Sequence, residues 1–113
     1  MHEISIIQEA VRMAVETAKA SGASRVHGVK LRVGTMSGVV PDALRFGFEL
    51  VCQGTMAEGA TLAIESVPAA CWCAGCQAEF ECGDFFNECP RCHALSNELR
   101  RGRELDLASV EMS

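Results

Sequence analysis

Apolar residues recur at helical spacing in two stretches of the chain. Between Ile4 and Ala20 they share one stripe and charged residues occupy the opposite face. This pattern predicts an amphipathic helix that ends at the Ser21-Gly22 pair. The stripe is formed by Ile4, Ile7, Val11, Ala14 and Ala18. A second apolar face predicts a helix from Pro41, a residue tolerated in a first helical turn, to Gly54.

Three further stretches alternate apolar and polar residues, as strands with one buried face do. They are Arg25–Val33, Ala60–Val67 and the residues that follow Leu105. In the last stretch the first apolar residues, Leu105 and Leu107, have odd numbers, whereas the later ones, Val110 and Met112, have even numbers. Because one extra residue in a strand reverses the faces of all the residues that follow, we predict a bulge near Ala108–Ser109.

Two pairs of cysteines have the spacing of metal-binding knuckles. Cys73 and Cys76 form the first C-x-x-C pair, Cys89 and Cys92 form the second, and twelve residues separate the pairs. A tight turn brings each pair of thiolates to one ion, and a hairpin of two short strands brings the pairs together. The spacing therefore predicts a tetrahedral site of four sulfurs, which would hold together a segment too short for a core of its own.

The order of these elements predicts an α+β fold. Two helices pack on a small three-stranded sheet, and a zinc-ribbon-like module with four cysteines is inserted before the last strand. We place the first domain at residues 1–68 plus 104–113 and the metal-binding module at residues 69–103. Because the last strand must return to the sheet of the first domain, the module is an insertion rather than a tail.

Composition excludes several classes of function. The chain of 113 residues has no run of eighteen apolar residues and no signal peptide, so we expect neither a membrane span nor export. Its seven cysteines cannot all pair, which favours metal ligation in a reducing cytoplasm over a disulfide framework. The net charge of −5 argues against a broad nucleic-acid-binding surface. We find no phosphate loop, nucleophile elbow or recognisable pair of catalytic carboxylates, and we expect no enzyme.

The remaining cysteines and histidines have weaker claims to a metal. Cys71 lies close enough to the first knuckle to replace one of its ligands or to act as a spare thiolate. Cys82 is interpreted as a bystander in the hairpin, and Cys52 as a small buried apolar residue of the second helix. His93 could compete for the metal when a thiolate is protonated, although a solvated turn residue is the simpler interpretation. His27 carries no further signal.

The N-terminus offers a second set of metal donors. The chain begins Met1-His2-Glu3, and the α-amine, the following amide nitrogens and the His2 imidazole can form a nearly planar set that Ni(II) and Cu(II) accept. Glu3 could orient the His2 ring as a neighbouring carboxylate, or it could simply place a favourable negative charge at a helix N-terminus. A histidine in second position is usually a solvated residue, so this motif is weak by itself.

Taken together, these motifs resemble the HypA/HybF family of nickel-insertion proteins, which help to mature nickel-iron hydrogenases. The resemblance runs essentially from end to end. Its residues are Met1-His2-Glu3-Ile4-Ser5, Gly34, Ser37-Gly38-Val39-Val40-Pro41, Leu44-Arg45-Phe46, Glu58-Gly59-Ala60, the four knuckle cysteines with Pro90, and Gly102-Arg103-Glu104-Leu105. The N-terminal triplet combined with this knuckle spacing is highly specific, although neither feature is so alone.

The resemblance implies a nickel metallochaperone built from two parts. Ni(II) is then bound weakly and reversibly by the Met1 amine, His2 and the Glu3 amide. The ion is passed to the hydrogenase large subunit together with a partner GTPase, and some relatives also serve urease maturation. Zinc is then structural, and its ligands are Cys73, Cys76, Cys89 and Cys92. The chain is compatible with a monomer or with a homodimer that exchanges the inserted module.

Two features depart from the family pattern. Family knuckles often carry glycine after the second cysteine, whereas this chain has Gln77 and His93 at those positions. Cys71, beside the first knuckle, leaves an alternative ligand set open. Both departures concern the assignment of individual ligands rather than the presence of a site.

Three other functions share parts of the pattern. Paired C-x-x-C and C-P-x-C turns also hold iron in rubredoxin-like electron carriers, which are red when oxidised. A zinc ribbon could instead bind nucleic acid, since the module carries a local basic patch despite the acidic charge of the whole chain. The patch consists of Arg91, Arg100, Arg101 and Arg103. A thiol redox protein would need one C-x-x-C pair opening a helix after a strand, and here two pairs flank a hairpin-sized gap.

Overall fold

The computed structural model describes residues 2–82 and 87–113, with the side chain of His2 left out. These residues form two helices and six strands. In chain order the elements are α1 His2–Ala20, β1 Val26–Gly34, α2 Pro41–Cys52, β2 Thr61–Val67, β3 Ala70–Cys73, β4 Ala78–Glu81, β5 Leu99–Arg101 and β6 Leu105–Met112. One three-stranded sheet has the order β2-β1-β6 and the other has the order β4-β3-β5. The predicted α+β class is confirmed, and the elements predicted from periodicity begin and end within two residues of the observed ones.

The described residues divide into two compact units. Unit 1 comprises those within Met1–Arg32, Val39–Glu65 and Asp106–Ser113, and unit 2 comprises Val33–Gly38 and those within Ser66–Leu105. Unit 2 therefore contains the cysteine module together with the end of β1 and the loop that follows it. From the sequence we place residues 33–38 in the first domain instead.

The core of unit 1 lies along the predicted apolar stripe of α1. Within this helix the buried side chains are Ile7, Ala10, Val11, Ala14 and Ala18, and the buried side chains of α2 include Leu44, Phe48 and Cys52. The two helices pack against each other, and β1 adds the buried Val26, Val29 and Leu31. Neither helix is long and apolar enough to span a membrane, and the described ranges contain no other helix.

The strands β1 and β6 both change the face that they bury. In β6 the half-buried positions include Leu105 and Leu107 in one phase and Val110 and Met112 in the other, so the predicted change of phase is seen in the exposure of the side chains. In β1 the buried positions change likewise, from Val26 and Gly28 to Val29, Leu31 and Val33, a change that we did not predict. The bulge near Ala108–Ser109 stays a prediction.

The cysteine module of unit 2 begins and ends where three backbone segments approach closely. A Cβ atom on Gly34 would lie 2.1 Å from the carbonyl carbon of Gly102, and a Cβ on Gly102 would lie 2.7 Å from the Cα of Ala69. The Met36 N–H donates to the Gly102 carbonyl at 2.7 Å, and the Ala69 N–H donates to the Thr35 hydroxyl at 3.1 Å. Both glycines are therefore required because a side chain would displace backbone.

We predict that Gly34→Ala destabilises the protein by at least ~2 kcal/mol, since the added methyl group has only backbone to displace. Gly22→Ala is the matched control. Gly22 has a positive φ, of 77°, which Gly34 does not, and nothing lies within 4 Å of its missing Cβ, so only a conformational cost of about 1 kcal/mol applies to the control. Urea denaturation of both variants measures the difference. Equal losses of stability would contradict the close approach.

Candidate metal centre

Two turns of unit 2 carry the four knuckle cysteines. Cys73 is the last residue of β3, and Cys76 lies in the turn between β3 and β4. Cys89 and Cys92 lie in a second turn, which the antiparallel bridge between Glu88 and Leu95 closes. Within it, the His93 N–H donates to the Cys89 carbonyl at 2.8 Å. The sequence predicts a hairpin of two strands between the knuckles, but the antiparallel pair β3–β4 has the first knuckle at its turn. Among the described residues between the knuckles, only Ala78–Glu81 forms a strand.

The four sulfur atoms form one compact group. All four Sγ atoms lie within 4.8 Å of one another, with Cys73 and Cys92 at 3.5 Å and Cys76 and Cys89 at 3.8 Å. A tetrahedral zinc site with Zn–S bonds of ~2.3 Å requires neighbouring sulfurs about 3.8 Å apart. A disulfide requires about 2.05 Å, and all four cysteines are free. The donor set therefore fits a tetrahedral metal ion, and its chemistry of four thiolates favours zinc or iron.

Backbone hydrogen bonds prepare one of these sulfurs to be a thiolate. The N–H groups of Cys92 and Arg91 point at the sulfur of Cys89 and lower its pKa to about 6. The thiol of Cys76 is held in the opposite state, because hydrogen bonds with Cys92 and Cys89 raise its pKa to about 12. A bound metal ion would take the place of the protons on these thiols.

The residue after each knuckle adopts a left-handed backbone conformation. Gln77 has a φ of 54° and His93 a φ of 64°, and among the described residues they are the only two that are not glycine and have a positive φ. These are the positions where the family pattern often has glycine, so the turn geometry is retained without the residue that adopts it most easily. Gln77 compensates in part, since its side-chain amide donates to the Ala74 carbonyl at 2.9 Å.

The other cysteines lie outside the four-sulfur group. Cys52 is buried in α2, as predicted, and burial raises its pKa to about 11. Cys71 is fully buried in β3, and burial, followed by the hydrogen bond with Cys82, raises its pKa to about 11. Its Sγ lies 3.0 Å from that of Cys82. The bystander interpretation of Cys82 overlooked this pair, because it depends on the register of β3 and β4 rather than on a sequence motif.

The histidines with described side chains lie apart from the sulfurs. His93 is exposed, and its Nδ1 lies 3.6 Å from the Glu88 carboxylate, as expected of a solvated turn residue. His27 is exposed in β1, where its Nε2 lies 2.6 Å from the hydroxyl of Ser113. Neither of them is a member of the group of possible metal ligands.

Acidic neighbours occupy part of the basic patch. Arg100 pairs with Glu98 at 2.6 Å, and its guanidinium lies over the ring of Trp72, 4.4 Å from the ring centroid. Arg101 pairs with Glu79 at 2.7 Å. Two of the four arginines are thus paired with carboxylates, and one face of Trp72 is covered, which weakens the nucleic-acid alternative.

The predicted nickel ligands lie at the start of α1. Met1 and the side chain of His2 fall outside the described residues, whereas the backbone is helical from His2 onwards. The carboxylate of Glu3 accepts a hydrogen bond from the Val40 N–H at 3.5 Å. Ile4 packs over Gly47 of α2 so closely that a Cβ there would lie 2.8 Å from the Ile4 Cδ1 atom. The third and fourth residues are therefore held against the α2 region.

We predict that Cys89→Ser lowers zinc affinity more than about 100-fold, because it removes a thiolate ligand. Loss of a residue that only hydrogen-bonds to a ligand typically costs about 10–100-fold. Cys52→Ser is the control, since Cys52 lies in α2. Metal analysis of both variants measures the difference.

The wild type should contain zinc and be colourless. Unaltered zinc content in Cys89→Ser would contradict the ligand assignment, and a red protein that contains iron would favour the electron carrier.

We predict that His93→Gly strengthens zinc binding by about 1 kcal/mol, or roughly fivefold, because glycine adopts a positive φ without strain. Gln77→Gly should gain less, since it also loses the hydrogen bond to the Ala74 carbonyl. Competition with a chelator measures both changes. A loss of affinity in His93→Gly would show that the imidazole itself supports the site.

Comparison with known proteins places this arrangement in one family. The family model described as "Hydrogenase/urease nickel incorporation, metallochaperone, hypA" matches residues 1–112. The hydrogenase maturation factor HypA of Picosynechococcus sp. is 46% identical over 112 residues, covering 99% of each chain. The hydrogenase maturation factor HybF of Salmonella typhimurium is 38% identical over 112 residues, also covering 99% of each chain.

Solved structures share the fold. The solution structure of the Ni metallochaperone HypA from Helicobacter pylori has a TM-score of 0.67 at 23% identity, covering 99% of this chain and 97% of that one. The solution structure of another HypA protein has a TM-score of 0.72 at 24% identity, covering 100% of this chain and 97% of that one. The solved structures share the fold, and the family model together with the sequence matches shows that the chain belongs to the HypA family of nickel-incorporation metallochaperones.

Proposed function

We propose that this protein binds Ni(II) at its N-terminus and passes the ion to the large subunit of a [NiFe]-hydrogenase during maturation. The observation that carries the proposal is the Met1-His2-Glu3 motif at the start of a chain that matches the family over residues 1–112. The ligands would be the amine of Met1, the imidazole and amide nitrogens of His2 and the amide nitrogen of Glu3. The backbone of α1 supports this assignment.

The amides that would bind nickel belong to the first turn of α1, which begins at His2. The first four N–H groups of an α-helix have no carbonyl partner within the helix. Replacing the amide proton of His2 or Glu3 with Ni(II) therefore breaks no hydrogen bond of α1. A histidine in the middle of the helix would lack this property, because its amide would already donate to the carbonyl four residues earlier.

The same end of the helix favours release of the ion. The N-terminus of a helix carries about half a positive elementary charge, which disfavours a bound cation. Glu3 offsets part of this effect because it is the acidic residue of the first turn. A site with opposing contributions of this kind suits a carrier, which must bind nickel and then surrender it.

The four-sulfur group is proposed to hold zinc as a structural ion. Zinc has no redox chemistry and accepts four thiolates in the tetrahedral arrangement that the sulfur distances fit. Cys73, Cys76, Cys89 and Cys92 would be its ligands. The role of the ion would be to join the two turns of unit 2, where the described residues contribute a buried cluster of only four side chains.

Transfer of nickel requires protein partners. We propose the hydrogenase large subunit as recipient and a nickel-handling GTPase as co-chaperone. Urease maturation factors are a further candidate, since the description of the family model includes urease. We expect a cytoplasmic monomer or homodimer that catalyses no reaction and has neither nucleic acid nor a membrane as a partner.

We predict that His2→Ala abolishes binding of Ni(II) while zinc content and fold are retained, because the imidazole closes the set of nitrogen ligands. One residue added before Met1 should have the same effect, since it moves the amine away. Affinity of the wild type should rise with pH, because the amine and amides must lose protons to bind. Calorimetry with nickel on untagged, zinc-loaded protein measures these changes.

His27→Ala is the matched control, because it removes an exposed imidazole of β1 that is not a proposed ligand. This variant should bind nickel as the wild type does. Equal nickel stoichiometry in His2→Ala and the wild type would overturn the proposed site. Circular dichroism and zinc analysis of each variant separate a lost ligand from a lost fold.

A further inference from the structure

Unit 2 contains a second pair of thiols that the zinc site does not use. The sulfur of Cys71 donates a hydrogen bond to that of Cys82 at 3.0 Å. The two residues lie on neighbouring antiparallel segments, where Cys71 is paired with Phe80 and the Cys82 N–H donates to the Ala69 carbonyl at 3.2 Å. Since residues two apart on a strand share a face, Cys71 and Cys82 lie diagonally across one face of this pair of segments.

Exposure differs between the two thiols in a way that suits oxidation. Cys71 is fully buried, whereas Cys82 is partly exposed. An oxidant would therefore meet Cys82 before Cys71, and the two sulfurs lie 3.0 Å apart. To form a bond, the two sulfurs must approach by about 1 Å, to the disulfide length of about 2.05 Å.

We propose that Cys71 and Cys82 form a reversible disulfide with hydrogen peroxide as the oxidant, while the four sulfurs of the zinc site keep their metal. The Cys82 sulfur attacks one peroxide oxygen, giving a sulfenic acid and one water. The Cys71 sulfur then attacks the Cys82 sulfur and releases the second water. In sum, two thiols and one peroxide give one disulfide and two waters, so the thiols lose two electrons and the peroxide gains them. A dithiol reverses the reaction by exchange.

The bond would close a covalent loop around the first knuckle. Cys73 and Cys76 lie inside the segment from Cys71 to Cys82, and Cys89 and Cys92 lie outside it. The disulfide would therefore fix the β3–β4 segment without joining the two knuckles. Oxidation would consume Cys71 and Cys82 and spare the four sulfurs proposed to hold the metal.

Peptide mapping with a protease that cleaves after glutamate tests the proposal on the full, zinc-loaded chain. The residues following Glu65, Glu81 and Glu88 begin separate peptides. Cys71 then lies in Ser66–Glu79 together with Cys73 and Cys76, Cys82 lies in Cys82–Glu88 and the second knuckle lies in Cys89–Glu98. Fragmentation of the linked peptides identifies which of the three cysteines is bonded to Cys82, and a bond from Cys73 or Cys76 would overturn the proposal. After treatment with peroxide, we expect the loss of two of the seven thiols, retention of zinc, and a bond between the first two peptides that dithiothreitol removes.

Two variants complete the test. Cys82→Ser should lose no thiols at the peroxide dose that removes two from the wild type, whereas Cys52→Ser should lose two as the wild type does. A bond from Ser66–Glu79 to Cys89–Glu98 with release of zinc would overturn the proposal, because the zinc ligands would then be the reactive thiols. So would an unoxidised Cys82 at a dose that already releases zinc.

Discussion

The convergence of four sulfurs from two turns is the constraint on which unit 2 depends. Among the described residues of unit 2, the buried cluster consists of Cys71, Cys73, Phe80 and Cys89, and the half-buried side chains packed against it are Cys76, Cys82 and Leu99. Such a cluster removes little apolar surface from water, and three of its four members are cysteines. Short strands like β4 and β5, of four and three residues, need another source of order. Bonds from the four sulfurs to one metal ion would provide that order, with an enthalpy that the described core cannot match.

Unit 1, by contrast, is stabilised by a hydrophobic core. Its helices and strands bury a continuous apolar set that includes Ile7, Leu31 and Leu44, each at most 2% exposed, and its order therefore needs no metal. The first turn of α1 belongs to this unit, as do Val40 and Gly47, which contact it. A weak and exchangeable nickel site at this turn would therefore rest on a framework that is stable whether or not the ion is present. The two proposed metals thus have separate physical roles: one ion maintains a structure, and the other is carried by a structure that is already complete.

Different parts of the molecule were predictable from the sequence for different reasons. The helices follow from apolar periodicity, since α1 and α2 bury one stripe and leave the other in water. The four-sulfur group follows from spacing, because a C-x-x-C turn allows few other arrangements. The left-handed conformations of Gln77 and His93 could have been inferred from the glycines usual at those positions. By contrast, the pairing of Cys71 with Cys82 depends on the register of two short strands, and residues 33–38 join unit 2 through backbone contacts with Val67 and Gly102 that no local pattern encodes. The nickel ligands were inferred from the family resemblance rather than from geometry, and the side chain of His2 lies outside the described residues.

The contact between Ala69 and Gly102 has a consequence for how such a protein can change over evolution. The two ends of the segment between these residues lie so close together that a Cβ on Gly102 would be 2.7 Å from the Ala69 Cα. An insertion whose two ends touch imposes no particular length on the chain between them. Residues could be gained, lost or exchanged within this segment without moving either end. The sequence and length of the metal-binding module can therefore change during evolution while the residues on both sides of its two ends keep their positions.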